Sequence, residues 1–168
     1  MRYLNKIVFI NSAAIRYSEV QLDGNIHLIG TQGVGKSTIL RAILFFYNAD
    51  TQRLGIPVEK KSYQDYYFPY ADSSIIYEVA REDGWFTVLS YKTMNRICYR
   101  FIASPYRPDL FIDEEGAPYP SDRIRSVLDK NGIKYSGAIS TYEEYRNILY
   151  GNSDNKRDYS CYSLMESG

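Results

Sequence analysis

The stretch "GTQGVGKS", Gly30 to Ser37, constrains this chain more than any other part of it. It fits G-x-x-x-x-G-K-[ST], with Gly30, Gly35, Lys36 and Ser37 at the defining positions. The glycines let the backbone curl so that successive N–H groups point inward. The helix expected next adds its dipole, and together they make a nest for phosphate oxygens. Gly33 adds freedom within the loop. Lys36 is expected to reach the β- and γ-phosphates, the Ser37 hydroxyl to ligate Mg²⁺, and Thr38 to touch the α-phosphate. The nucleotide-binding set is therefore Gly30, Thr31, Gln32, Gly33, Val34, Gly35, Lys36, Ser37 and Thr38, with Ser37 also the metal ligand. ATP and Mg²⁺ are the cofactors implied. No guanine-reading motif is evident, which favours ATP over GTP.

The context on both sides suits the motif. "NIHLI" is a short apolar run ending at a glycine, as a buried strand does before a tight loop. "KSTILRAILFFY" then places Ile39, Leu40, Ile43, Leu44 and Tyr47 at helical spacing, so a helix is expected from Gly35 or Lys36 to Asn48–Asp50. Before the loop, "KIVFIN" and "EVQL" read as strands, with "DGN" as the turn into "IHLIG". After it, "TQRLGIPVEKKSYQDYYFPYADS" reads as an irregular connection. "SIIYEVARE", "GWFTVLSYKT" and "RICYRFIAS" read as three successive antiparallel strands. "SPYRPDLFIDEEGAPYPSD" reads as a loop with a short strand at "LFI". "DRIRSVLDKNG" and "TYEEYRNILYG" read as helices, the first capped by Ser121 or Asp122, the second by Thr141 and closed at Gly151. The tail from Asn152 is polar and carries no closing element.

At 168 residues the chain suits one domain. Its expected parts are a strand pair, phosphate loop and helix over 1–50, an antiparallel meander over 72–104, and loop and helices over 105–168. This order is not the repeating β-α-β of a small nucleotide kinase. The fold class expected is α/β, a P-loop NTPase lobe with a mixed sheet, an antiparallel meander and a long helix after the phosphate loop.

Twenty basic and twenty acidic residues cancel, so the basic excess of a domain that grips nucleic acid by itself is missing. Cys98 and Cys161 form no CxxC pair, and the single histidine, His27, reads as packed in a strand, so no zinc set can be assembled. Reduced thiols point to the cytoplasm. The apolar run near the start is broken by Asn11 and Ser12 and fits a strand, and no segment is long enough to span a membrane. The 18 tyrosines fit a sheet surface where rings pack and hydroxyls stay wet.

Phosphoryl transfer needs more than a phosphate cradle. It needs an acidic residue on Mg²⁺ and a group that positions water. The one candidate is "LFIDEE", where Asp113 would hold Mg²⁺ and Glu114 would polarise water. Pro108 and the preceding meander make this an edge strand entering a turn, whereas a metal-site strand is central and parallel to the loop-bearing one. Gln52 and Gln64 read as solvated loop residues, and "YSGAIS" (Tyr135 to Ser140) as a turn.

Taken together, "LNKIVFIN", "IRYSEVQLDGN" and "HLIGTQGVGKSTILRAILFFY" resemble the N-terminal half of an SMC-like or RecF-like ATPase head, over roughly the first hundred residues. "YYFPYADSSIIYEV" and "RICYRFIASPYRPDLFIDEEG" are most similar to the MukB-like, Wadjet-type condensin ATPases. The resemblance implies a head built from two halves separated by a long coiled coil. In such a head the C-terminal half carries the signature motif, the Mg²⁺-binding aspartate and the catalytic glutamate, and two heads sandwich ATP while the assembly acts on DNA. Gly30 to Thr38 match the family's phosphate loop. No residue matches its catalytic glutamate, and no heptad run appears. The expectation is thus a fragment of a longer, cytoplasmic and nucleoid-associated protein. Its partners would be a C-terminal lobe, a second head and accessory subunits, with DNA reached through the full assembly. Two alternatives stay open: a self-contained small NTPase or kinase using Asp113 and Glu114, and a non-catalytic, nucleotide-gated interaction module.

Overall fold

The computed structural model describes residues 1–22, 28–29, 35–48, 63–152 and 159–165. Strands β1 (Tyr3–Ser12) and β2 (Ile15–Leu22) form a hairpin with register from Lys6↔Gln21 to Ser12↔Ile15. Its turn places Asn11 and Ala13 in the left-handed region, at φ 46° and 52°. A two-residue strand, β3 (Leu28–Ile29), pairs with the end of β2 at Gln21↔Ile29 and Leu22↔Leu28. The other edge of β1 pairs with β4 (Ser74–Arg81), which continues into β5 (Gly84–Thr93) and β6 (Arg96–Ile102) as the expected meander.

The sheet order is β3-β2-β1-β4-β5-β6, and every described pair is antiparallel. This corrects the expectation of a mixed sheet, though the α/β class holds at the coarser level. A parallel pair needs a long crossover connection back to a neighbouring strand. Here the chain leaving β3 passes through helix α1 (Lys36–Asn48) and then joins the sheet beside β1, running against it.

Both faces of the sheet are covered, which is why β4 is buried at almost every position instead of at alternate ones. One face carries Ile7, Phe9, Ile75, Tyr77, Phe86 and Phe101, packed against α1, α2 (Tyr63–Tyr67) and α4 (Tyr142–Leu149). The opposite face carries Val8, Ile10, Ile76, Leu89 and Ile102, packed against a 3-10 turn (Pro108–Leu110), Phe111 and helix α3 (Ser121–Lys130). Helix α1 buries Ile39, Ala42, Phe45 and Phe46, while Leu40, Leu44 and Tyr47 are exposed. The helix is apolar on two faces, so spacing alone does not identify the inward one.

Several local expectations change. The segment that reads as wholly irregular holds α2, whose Tyr63 ring stacks on Phe45 with centroids 4.7 Å apart. "LFI" is not a strand: Leu110 ends the 3-10 turn, and Ile112 makes one isolated bridge to Pro118. Helix α3 is capped by Pro120 without a side-chain hydrogen bond, and Ser121 and Asp122 lie inside its first turn. Helix α4 follows the sequence reading. Thr141 Oγ1 accepts the Glu144 N–H at 3.2 Å, and Gly151 closes it at φ 75°. "YSGAIS" runs beside β6 as an irregular extra strand. The Ser136 N–H donates to the Phe101 carbonyl at 2.8 Å, and Tyr99 and Ile139 exchange two backbone bonds, each of 2.8 Å.

The tail does carry a closing element, a 3-10 turn (Ser160–Tyr162) that inserts the fully buried Tyr162 against Phe86 and Phe101. Two arginines clamp it. Arg2 Nη1 donates to the carbonyls of Ser163, at 3.1 Å, and Met165. Arg81 Nη1 donates to the Ser160 carbonyl at 2.7 Å. Each guanidinium is neutralised by a carboxylate, Glu82 for Arg2 and Asp83 for Arg81.

A polar chain runs through the sheet, with Glu78 buried and Asn5 and Gln21 half-buried. A register shift between Leu4 and Lys6 brings Asn5 beside Gln21 and Glu78. Gln21 Nε2 donates to Asn5 Oδ1 at 2.9 Å, and Asn5 Nδ2 donates to Glu78 Oε1 at 2.8 Å. The second Glu78 oxygen accepts the Tyr106 N–H at 2.7 Å. The network joins β1, β2, β4 and the loop after β6.

Candidate functional site

Of the predicted phosphate-binding residues, Gly30, Thr31, Gln32, Gly33 and Val34 lie outside the described residues, as does His27. Gly35, Lys36, Ser37 and Thr38 are described: Gly35 lies directly before α1 and the other three in its first turn. Gly35, Lys36 and Ser37 are exposed, and Thr38 is half-buried. The next residue, Ile39, is completely buried and fixes the turn to the core.

Helix geometry makes this terminus a donor surface. The Ile39 N–H returns to the Gly35 carbonyl at 3.2 Å, the first bond of the helical ladder. The N–H groups of Lys36, Ser37 and Thr38 precede that bond and have no acceptor within the helix. No acidic side chain occupies the first turn, so neither Asp nor Glu there competes for the positive end of the dipole.

Gly35 adds no bulk beside these donors. A Cβ built on it meets only Thr38 Oγ1, at 3.9 Å, which is ordinary contact. Its φ is not in the left-handed region either. Neither packing among the described residues nor backbone conformation explains a glycine there.

The acidic pair lies in a different setting. Asp113 Oδ1 accepts the N–H groups of Glu115 at 2.9 Å and Ala117 at 2.8 Å, so the carboxylate stabilises its own turn. Glu114 is exposed at that turn. The residues before the pair, Leu110 and Phe111, pack on the sheet face opposite α1. Asp113 and Glu114 are therefore not brought together with Lys36 and Ser37. Gln64 sits in α2, half-buried, with its carbonyl accepting the Phe68 N–H at 3.0 Å, and Gln52 lies outside the described residues.

The other end of α1 holds an arrangement that the sequence does not disclose. The last four carbonyls of a helix have no partner inside it, and α1 has no basic side chain in its last turn. Tyrosine hydroxyls fill this role. Tyr145 donates to the Phe46 carbonyl, and Tyr150 to the Tyr47 carbonyl at 2.7 Å. One turn earlier, Tyr77 from β4 donates to the Ala42 carbonyl at 2.9 Å. Burial pushes the Tyr77 and Tyr145 phenols well above their ordinary range, so both stay protonated and able to donate. The high tyrosine count is the available signal, but it cannot specify which hydroxyls turn inward.

Cys98 and Cys161 are free thiols, and burial pushes that of Cys98 up. Among the described residues no group of three His, Cys, Asp or Glu could hold a metal ion, and no helix is long and apolar enough to cross a membrane.

No curated protein and no solved structure matches this chain. One family does, over residues 11–163, which include the Gly30–Ser37 stretch, the meander and both later helices. The chain belongs to DUF3584, a family described as proteins of unknown function.

Proposed function

We propose that this chain is the ATP-binding N-terminal lobe of an SMC-like ATPase acting on DNA, with hydrolysis requiring a C-terminal lobe and head dimerisation. The observation that carries the reading is the start of α1. Lys36 and Ser37 are exposed beside three N–H groups without helical acceptors, and no described neighbour requires a glycine at Gly35. In this reading the amides and the helix dipole hold phosphate oxygens, Lys36 spans the β- and γ-phosphates, and Ser37 ligates Mg²⁺.

Two further observations favour half a site over a complete one. Asp113 already satisfies two backbone amides on the far face of the sheet, which removes support from a self-contained NTPase. The two sheet edges also differ. The β6 edge is covered by residues 134–139, whereas β3 has β2 as its one described neighbour and directly precedes the Gly30–Ser37 motif in sequence. A strand from a second lobe would pair there and carry the missing carboxylates. DNA contact belongs to the full assembly, in keeping with the balanced charge, and the protein acts in the cytoplasm.

The test is a single-turnover assay with labelled ATP, Mg²⁺ and the full chain, with bound nucleotide quantified in the same samples. Binding without cleavage is expected, and Lys36→Ala should weaken binding about 10- to 100-fold, the worth of a charged hydrogen bond. Unchanged affinity in Lys36→Ala would refute the assignment. Cleavage by the wild-type chain that vanishes in the variant would show a complete site.

A further inference from the structure

We infer that Tyr145, Tyr150 and Tyr77 are positioning residues for the nucleotide site. They set where along its axis α1 lies, and hence where Lys36 and Ser37 stand. The inference rests on the nucleotide-binding reading and adds a control element at the far end of the same helix.

The geometry is specific. Helix α1 buries one face through Ile39, Ala42, Phe45 and Phe46 against the sheet, and such apolar contacts are non-directional. They resist separation of the helix from the sheet better than they fix its position along its own axis. Directional contacts do the latter. Three phenol hydroxyls from outside the helix point at α1 carbonyls: Tyr77 at Ala42, Tyr145 at Phe46 and Tyr150 at Tyr47. Tyr77 is anchored in β4, next to the central strand β1, and Tyr145 lies in α4 with its ring stacked on Tyr99, centroids 4.3 Å apart. The donors thus stand on rigid parts of the fold. A helix moves as a rod over so short a span, so sliding by one residue would carry its first turn by about 1.5 Å. That displacement would misplace a lysine and a metal-ligating serine, where errors of about 1 Å matter.

Other hydroxyls in the same core provide the internal control. Tyr67 is fully buried in the cluster that contains α1, and its hydroxyl has no hydrogen-bond partner among the described residues. Removing it subtracts the same atom without releasing an α1 carbonyl.

The experiment measures Mg·ATP affinity and its Mg²⁺ dependence for the full chain. It compares wild type, Tyr145→Phe/Tyr150→Phe, Tyr150→Phe alone, Tyr67→Phe and Lys36→Ala, at a temperature where each is shown to be folded. Tyr150 is only half-buried, so its single variant keeps the test available if the double variant does not fold. Expected are roughly tenfold weaker binding in the double variant, a smaller loss in Tyr150→Phe, and wild-type affinity in Tyr67→Phe. The Mg²⁺ concentration for half-maximal ATP binding should rise in the double variant, because Ser37 is displaced. A role confined to stability would leave that concentration unchanged in folded protein. If Lys36→Ala weakens binding while Tyr145→Phe/Tyr150→Phe and Tyr150→Phe keep wild-type affinity and Mg²⁺ dependence, the positioning role is overturned and the loop assignment stands. If Lys36→Ala binds as wild type, the loop assignment fails and the positioning role falls with it.

Discussion

The Gln21–Asn5–Glu78–Tyr106 chain allows a sharp prediction, because its hydrogen bonds have a fixed direction. In Glu78, at 6% exposure, both side-chain oxygens act as acceptors: one takes the Asn5 amide N–H and the other the Tyr106 backbone N–H. Glu78→Gln keeps the shape but turns one acceptor into a donor. If the new amide faces Tyr106, two N–H groups oppose each other. If it faces Asn5, that side chain must flip, and Gln21 must follow. Gln21 Nε2 would then leave the carbonyls of Asn5 and Leu22, which it holds at 2.9 and 3.0 Å. Either route leaves a buried or half-buried group unpaired, at a cost of about 1–3 kcal/mol. Asn5→Asp alone places two carboxylates side by side and should cost at least as much. The double variant Glu78→Gln/Asn5→Asp reverses one bond and keeps the others. The carboxylate introduced on β1 accepts from Gln21 and from the amide introduced on β4, while the oxygen of that amide still accepts the Tyr106 N–H. Direction is restored, so the double variant should lie within about 1 kcal/mol of wild type, a coupling of about 2 kcal/mol or more. Urea unfolding followed by circular dichroism measures all four corners of the cycle. Additive losses would refute the network as a directional unit.

Tyr162→Ala should lose about 3–5 kcal/mol, the range for emptying a buried aromatic site, and lower Tm by roughly 10 °C; a loss under about 1 kcal/mol would mean that the tail does not pack as described. Gly151→Ala should be destabilising by about 1–2 kcal/mol in the same assay, because a side chain is strained at φ 75° and its Cβ would stand 3.1 Å from Ser163 Oγ. The Glu82 carboxyl, held by the Arg2 guanidinium, is lowered from 4.5 to about 2. A carboxyl lowered on folding contributes above its unfolded value and loses that contribution as pH falls through the folded one. Tail amides should therefore lose exchange protection between about pH 4.5 and 2 in wild type, whereas Glu82→Gln should show no such acid step. A Glu82 pKa near 4.5 by NMR titration would contradict the clamp.

The legible parts of the fold are those where local pattern and tertiary environment agree. The meander strands end at short turns and are rich in β-branched and aromatic residues, so β4, β5 and β6 can be read nearly to their ends. Thr141 and Gly151 bracket α4 by backbone chemistry that needs no knowledge of neighbours. What escapes depends on distant partners. Ser121 and Asp122 are good caps in isolation, but Pro120 fixes the extended backbone one residue earlier and draws both into the helix. "YSGAIS" resembles a turn until β6 presents an edge that needs covering. Tyr162 sits in a polar tail, and only the hollow between Phe86 and Phe101 explains its burial. At the site, Lys36 and Ser37 are legible because the motif encodes a local geometry. The tyrosines at the far end of α1 are not, since Tyr77 meets Ala42 across 35 residues and Tyr145 meets Phe46 across 99.

The arginine clamp also governs how the molecule would respond to a pull. Arg2 holds the carbonyls of Ser163 and Met165, so the start of β1 and the segment after Tyr162 meet at one end of the sheet. Tension applied between them would load these few hydrogen bonds first, peeling the tail inward from Met165. The Tyr162 ring would be the second stop, and Arg81 would hold the segment around it. Strand β1, flanked on both sides by full-length partners, would bear force only after the tail had come away. The fold therefore has a built-in order of yielding, with a sacrificial strap outside and a load-resistant sheet within.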